Sequence, residues 1–408
     1  MKQNLIRLMS AVLAGSLCMG LAACGEPGTG GGAKEGKQSV KVGLICLHDE
    51  NSTYDLNFLN AMNEAKKALG LSDDQVIIKK NIPESNECKE AAVDLADRGC
   101  DIIFADSFGH EPYLLEAAEA YPDVQFCHAT GTLAHTEKRD NFHDAFASIY
   151  EGRYLAGIAA GLKLNEMIDD GIIKPEEAVM GYVGAYTYAE VISGYTSFYL
   201  GAKSVCPSTT MKVQFTGSWY DETAEKEAAT KLLSEKCVLI SQHADSMGAP
   251  TACENAGVPN ISYNGSTKDA CPNTFIVSSR IDWTPYYVYA IKCVQNGEQI
   301  KTDWVGDLNT GSVKLTEVND QAAAAGTQAA IDEAAAKLKS GELHVFDTAA
   351  FTVDGQMLTS YEADVDTDAE YKPDTEVIKD GYFHESEYRS APYFDLKIDG
   401  IEQLNTMF

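Results

Sequence analysis

Positive charge is what this sequence has least of. Against 61 Asp and Glu stand only 32 Lys and Arg, a formal net charge of −29 over 408 residues, and no segment gathers its cations into a patch. Nucleic acid and anionic lipid surfaces are thereby excluded as partners, since both demand clustered Lys and Arg. The signatures of common enzymes are missing too: there is no Walker-type phosphate loop, no GxGxxG after the first apolar strand, and no GxSxG elbow. His48, His110, His128, His135, His143 and His243 form no helix-spaced metal pair, there is no CxxC, and no Cys/His cluster has zinc spacing. No catalytic residue, metal or cofactor is therefore expected. Beyond the N-terminal segment, no apolar run approaches the roughly 20 residues of a membrane-crossing helix.

That N-terminal segment carries the most informative feature present. Lys2 and Arg7 precede an apolar run, Leu8 to Leu21, too short to span a bilayer, and Leu21-Ala22-Ala23-Cys24 closes it. The pattern resembles a bacterial lipobox, which implies cleavage after residue 23 and lipid on the sulfur of Cys24. An ordinary secretory signal that happens to contain cysteine is the competing reading. The Gly-rich stretch that follows (GEPGTGGGAKEG, 25–36) favours the lipobox, because it suits a flexible tether between a lipid and a folded body. Of eleven cysteines, nine lie in that body: Cys46, Cys88, Cys100, Cys127, Cys206, Cys237, Cys253, Cys271 and Cys293. Nine is odd, so at least one thiol stays unpaired within the chain. Disulfides and scattered reduced thiols both remain open.

From residue 41 the text alternates short apolar runs with amphipathic segments. Strands are expected at 41–47, 76–79, 101–105 and 124–128, with helices at 58–69, 84–98 and 112–121 between them. The pattern restarts with a long helix at 144–164, whose small residues Ala156 to Gly161 permit close packing. Strands then fall at 180–184, 212–216, 238–242, 260–264 and 275–278, and helices at 191–201 and 223–234. Continuous apolar strands between helices signal a parallel sheet covered on both faces. Two such halves make two doubly wound α/β lobes, each offering ligand-facing loops at the carboxyl ends of its strands. Further on, helices are expected at 285–295 and 321–338. Asp354-Gly355 should turn a hairpin with type I′ geometry, and 364–376 is an acidic surface stretch.

Aromatic and polar residues recur just beyond these strand ends: Tyr54 and Asp55, Asp106 and Phe108, Tyr186 and Glu190, Trp219, Asp245, Asn264, Asp282 and Trp283. Aromatic faces stack on flat ligands, while carboxylates and amides accept hydrogen bonds from ring nitrogens and sugar hydroxyls. Each position has a duller explanation, such as a helix N-cap at Asp55 or Asp245 or a helix start at Trp283-Thr284-Pro285. The coincidence across seven loops on two lobes points to a cleft for a neutral, planar, donor-rich ligand such as a nucleobase or nucleoside.

Tyr150 to Leu162 (YEGRYLAGIAAGL), with 121–126, 128–131, 181–184 and 281–287, resembles the basic membrane protein family of ABC-transporter solute-binding lipoproteins, which includes purine nucleoside receptors. The likeness covers roughly residues 40–360 and extends to Gly217-Ser218-Trp219 and Gln242-His243-Ala244-Asp245-Ser246. It implies a bilobed type I periplasmic-binding-protein fold, two doubly wound parallel-sheet lobes joined by a three-strand hinge. The expected organisation is a signal peptide (1–23), a tether (24–40), an N-terminal lobe (41–143 and about 284–305), a C-terminal lobe (144–283 and about 306–360) and a surface-wrapping tail (361–408).

The resemblance places the family's purine-sandwiching aromatic and its polar neighbour on Tyr54 and Asp55, and an acidic ligand residue on Asp245. Ser279 to Asp282 stands where members often carry a ribose-contacting lysine, so a free base such as adenine stays open beside a nucleoside. The implied role is a monomeric, membrane-anchored binder delivering solute to an ABC permease. Alternatives are a ligand-sensing subunit for a membrane receptor or kinase, the same role with a flavin or sugar, and a nucleoside hydrolase.

Overall fold

β1 (Val42–Ile45) is four residues long and buried at every position, too short for a helix and too apolar for a strand with one wet face. The computed structural model describes residues 39–365 and 372–407. The expected lipidation site Cys24 and the tether lie outside the described residues.

β1 is followed by α1 (Thr53–Leu69), β2 (Val76–Lys79), α2 (Asn86–Asp97), β3 (Ile102–Ala105), α3 (Glu111–Ala120), β4 (Gln125–Ala129), the single turn α4 (Ala134–Glu137) and β5 (Phe142–Ala147). After α5 (Ile149–Asp169) come β6 (Val179–Gly184), α6 (Ala189–Val205), β7 (Thr210–Phe215), α7 (Glu222–Ser234), β8 (Leu239–Gln242), α8 (Gly248–Ala256), β9 (Asn260–Tyr263) and β10 (Phe275–Ile281). Next are α9 (Thr284–Asn296), β11 (Asp303–Gly306), β12 (Val313–Leu315) and α10 (Thr327–Ser340). The C-terminal region adds the two-residue ladders β13 (Glu362–Ala363) with β14 (Thr375–Glu376) and β15 (Ile378–Lys379) with β16 (Tyr382–Phe383), then β17 (Ile401–Gln403).

Two sheets organise these elements, in the bilobed α/β arrangement expected. The first runs β11-β5-β4-β3-β1-β2, parallel throughout, and the second β12-β10-β9-β8-β6-β7-β17, with only β12 antiparallel. The chain passes between sheets three times, at Ser148, at Asp282-Trp283 and at 307–312. Ser148 N donates to Gly306 O (2.7 Å) and Asp282 N to Ser312 O (2.7 Å), tying the strands of the hinge together. Each sheet has a topological switch point, β1 flanked by β2 and β3, and β6 flanked by β7 and β8. Doubly wound sheets place ligands beyond the strand ends there.

Three expectations need correcting. The long helix does not start at Asp144: residues 142–147 are β5, fully buried and paired in parallel with β4 and β11, so pairing on both edges overrides the helical pattern. The stretch 361–408 does not merely wrap the surface. Val377, Phe383, Tyr393 and Phe394 are buried in the main core, and β17 extends the second sheet alongside β7. The hairpin shrinks to one bridge between Val353 and Gln356, although Asp354 (φ 51°) and Gly355 (φ 75°) make the left-handed pair a type I′ turn requires.

The small residues of α5 do allow close approach. A Cβ on Gly157 would collide with the Phe198 carbonyl oxygen, and one on Gly201 with that of Tyr154, so α5 and α6 cross backbone to backbone. All nine body cysteines are free and buried. Among the described residues, no helix is long and apolar enough to cross a membrane.

Candidate functional site

Ser52 caps α1 by accepting a hydrogen bond from Asp55 N (3.2 Å), which starts the helix at Thr53 and places Tyr54 and Asp55 in its first turn. Sequence periodicity set that start at residue 58, because the polar first turn carries little apolar signal. Asp55 is 1% exposed and its Oδ1 accepts from His48 N (2.8 Å), with His48 Nδ1 3.4 Å from Oδ2. Burial alone would raise its pKa, but the hydrogen bonds from His48 and Ser52 outweigh it and hold the carboxyl below its ordinary range. Tyr54 donates its hydroxyl to the Asp106 carbonyl (2.6 Å), bracing its ring against the end of β3.

Asp106 lies behind this wall, fully buried, with Oδ1 accepting from Leu47 N (3.0 Å). Burial and then the charge of Asp55 push its pKa well up, so it is the protonated member of a carboxyl pair whose ionised member is Asp55.

The second sheet supplies the opposite wall. Asp245 N donates to Trp219 O (3.0 Å), and Asp245 Oδ1 accepts from Asn264 Nδ2 (3.0 Å). Asn264 holds φ at 65°, a left-handed backbone that asparagine tolerates. Glu190, in the first turn of α6, faces His243, with Oε1 3.2 Å from Nε2. Burial, followed by the charge of Arg153, depresses His243 to about 4, so its ring is neutral.

Between the walls lies a narrow cavity lined from both lobes. The first lobe contributes Leu47, His48, Tyr54, Asp55, Ser107, Phe108 and Thr130; the second contributes Glu190, Trp219, His243, Asp245 and Tyr263. Its rim is bridged across the lobes. Thr53 N and Oγ1 donate to Asp245 O (3.3 and 3.0 Å), and Asn57 Nδ2 donates to Asn264 O (2.9 Å). Phe108 meets Tyr188 across the mouth, their ring centroids 5.4 Å apart. The acidic lining residues are Asp55, Glu190 and Asp245, the last pushed well above the usual carboxylate range by burial, with His48 and His243 beside them, and no lysine or arginine lines the cavity. Such a chamber accepts neutral donors and flat rings and repels anions.

Six of the eleven residues singled out from sequence thus face one space: Tyr54, Asp55, Phe108, Glu190, Trp219 and Asp245. Asp106 and Asn264 stand behind the walls. Tyr186 stacks on Tyr188 (5.1 Å) and meets Trp219 edge-on (5.0 Å), outside the lining. Two are displaced from the cavity. Asp282 accepts from Thr284 N (3.0 Å) at the start of α9 and pairs with Lys314 (2.6 Å). Trp283, 1% exposed, stacks on Phe58 (4.5 Å) inside the hinge core. Both sit where the chain changes lobes, so the strand end there points into packing rather than into the cleft.

Leu47, His48, Ser107, Thr130, His243 and Tyr263 are the lining residues not singled out from sequence, although His48 and Ser107 stand in the strand-end loops it pointed to. Tyr263 closes β9 and looks like a core aromatic, while His243 had only its position after β8 to mark it. A second buried cluster, Glu111, His128 and Asp144, serves the fold. Glu111 accepts from Thr132 N (2.8 Å) and Leu133 N (2.7 Å), and Asp144 accepts from Ala134 N (2.9 Å), which clamps the loop after β4. Gly131 fills the centre, where a methyl group would strike all three side chains.

Comparison with known proteins bears on the family and the fold. The family model for Bmp, described as PnrA-like ABC transporter substrate-binding protein, matches residues 43–346. A purine-binding protein of Brucella abortus is 30% identical over 323 residues, 78% of this chain and 85% of that one. A putative ABC transporter glucose-binding protein of Haloferax volcanii is 30% identical over 317 residues, 76% of each. Among solved structures, an ABC transporter solute-binding protein of Aeropyrum pernix superposes with a TM-score of 0.62 at 18% identity, over 75% of this chain and 93% of that one. Another, of Conexibacter woesei, gives 0.60 at 23% identity, over 75% and 98%. Those two likenesses speak for the fold alone.

Proposed function

The chain belongs to the Bmp family of PnrA-like ABC transporter substrate-binding proteins, and from that premise we propose that it is a lipid-anchored receptor that captures a purine base or nucleoside and hands it to an ABC permease. The observation that carries the reading is the lining of the cavity between the lobes. It draws aromatic rings from both lobes, Tyr54 and Phe108 on one side and Trp219 and Tyr263 on the other, and three carboxyl groups, Asp55, Glu190 and Asp245.

A purine offers two flat faces to the rings and ring or exocyclic N–H donors to the carboxylates. Phosphorylated nucleotides are disfavoured, since a phosphate would face this acidic lining with no lysine or arginine beside it. The role is binding without chemistry: ligand joins the lobes, closure buries it, and the permease reads the closed form. Cys24 would hold the receptor at the outer face of the membrane, with acyl chains making the attachment durable. The 30% identity to the purine-binding relative supports the ligand class.

The test is calorimetric titration of the purified protein with adenine, adenosine, inosine, AMP, riboflavin and glucose. Submillimolar binding of a base or nucleoside, with AMP much weaker, is expected. Tighter binding of glucose or riboflavin than of any purine would overturn the assignment, and release of base from inosine would overturn the non-catalytic role.

A further inference from the structure

Arg153, in the second turn of α5, is 1% exposed and is the largest buried cation beside the cavity's second-lobe wall. Its guanidinium lies on the face of Tyr263, 3.3 Å from the ring centroid, and 5.8 Å from the ring of Tyr182. One nitrogen, Nη1, donates to Gln242 O (2.8 Å), while Nε and Nη2 have no hydrogen-bond partner. A buried guanidinium committed to a single hydrogen bond is costly, and its stacking on an aromatic face offsets only part of that cost. Such an arrangement points to a task at the wall it touches.

That wall consists of Tyr263, which lines the cavity, and His243, whose ring packs on Tyr263 at 4.9 Å. His243 is faced by Tyr182 from β6 (hydroxyl 3.4 Å from Nδ1), Glu190 from α6 (3.2 Å from Nε2) and Tyr263 from β9, with Asp245 two residues along its own chain and the charge of Arg153 on α5 acting on it from beyond the Tyr263 ring. We infer that Arg153 is a positioning residue for the ligand cavity: it braces Tyr263 from behind and, through the His243 ring packed on Tyr263, fixes the partner that Glu190 meets, so that the carboxylate stays aimed at the ligand. With a protonated ring in place of the neutral one, Glu190 would be drawn into a full ion pair and compete poorly for a ligand donor. Burial first, and then the charge of Arg153, lower the affinity of His243 for a proton and depress it to about 4. The inference rests on the cavity being the ligand site proposed above.

The experiment compares the wild-type chain with Arg153→Met and Arg153→Lys. The His243 imidazole is followed by NMR from pH 4 to 8 without ligand, and adenine and adenosine are titrated by calorimetry at pH 5.5, 6.5 and 7.5. The expected result is a wild-type ring that stays neutral throughout the upper range. In Arg153→Met, His243 should titrate at least one pH unit higher, and purine affinity should fall severalfold at pH 7.5 through the lost brace and further at pH 5.5. Arg153→Lys, which keeps the charge but not the planar stack, should retain the low titration and lose part of the affinity. Identical His243 titrations in wild type and in folded Arg153→Met would overturn the inference, as would purine affinity of unchanged size and pH profile in that variant. If Arg153→Met does not fold, a ring in Arg153→Lys that titrates at its ordinary value overturns it instead. Failure of the wild-type protein to bind either purine would sink the functional proposal, while the ligand-free titration still decides the role of Arg153.

Discussion

Trp219 and Trp283 look alike in the sequence, each beside acidic residues near the end of a strand, yet they occupy different physical worlds. Trp219 is half-buried on the cavity wall, and Trp283 is enclosed against Phe58, Phe146 and Tyr286. Trp219→Ala should weaken purine binding by roughly 1–3 kcal/mol while leaving the melting temperature near that of wild type. Trp283→Ala should remove about 3–5 kcal/mol of stability and leave the affinity of the folded fraction unchanged. Calorimetry alongside thermal melts separates the two. A large affinity loss in Trp283→Ala with no stability change would contradict the placement described here. Asp55 and Asp106 differ in the same way: both are buried, but the hydrogen bonds of His48 keep one ionised while desolvation and its neighbour's charge keep the other protonated.

At the scale of elements, the α5/α6 crossing joins the hinge to the second lobe's wall, since α5 carries Arg153 and α6 carries Glu190. Gly157 and Gly201 allow that crossing because carbonyl oxygens stand where their side chains would be. Gly201→Ala should therefore force the helices apart and cost about 1–3 kcal/mol, measured as a lower urea midpoint. A midpoint equal to wild type would show that the crossing relaxes freely. How α1 begins matters as much: the Ser52 cap sets which residues of its first turn face the cleft, and it also aims Thr53 and Asn57 at the second lobe.

The whole molecule carries its acidity inward as well as outward. Glu151, Glu225 and Glu385 are raised to about 7, burial being the main cause in each, whereas an unfolded glutamate titrates near its ordinary value. Between those values the folded chain binds protons that the unfolded chain has released, so stability falls as pH rises toward and through 7. Burial also depresses His128 to about 3, and His143 and His243 to about 4. These rings are uncharged in both states above about 6.5; below it they charge first in the unfolded chain and erode stability as pH falls. Asp106, Asp144 and Asp245, also raised well up by burial, add to the loss of stability as pH rises. Ligand-free melting temperature should therefore drop by on the order of a few degrees between pH 6.5 and pH 8. A melting temperature that rises steadily from pH 6.5 to 8 would contradict this assignment.

The sequence by itself determined the architecture and the acidic, aromatic character of the cleft. Alternating apolar runs and amphipathic helices can bury themselves only as parallel sheets covered on both faces, and an acidic chain with aromatics after its strands can build only an acidic, aromatic cleft. It also placed Tyr54, Asp55 and Asp245 among the cleft's residues, because switch-point loops follow from strand order. What only the tertiary structure decided was direction and distant pairing. Strand ends at the hinge turn Asp282 and Trp283 away, while Tyr263 and His243 turn inward from positions that read as core. β5 and β17 become strands because edges far away in sequence pair with them, and Arg153 meets Tyr263 only because α5 packs against the second sheet. Local periodicity records which residues avoid water; it does not record which neighbour they avoid it with.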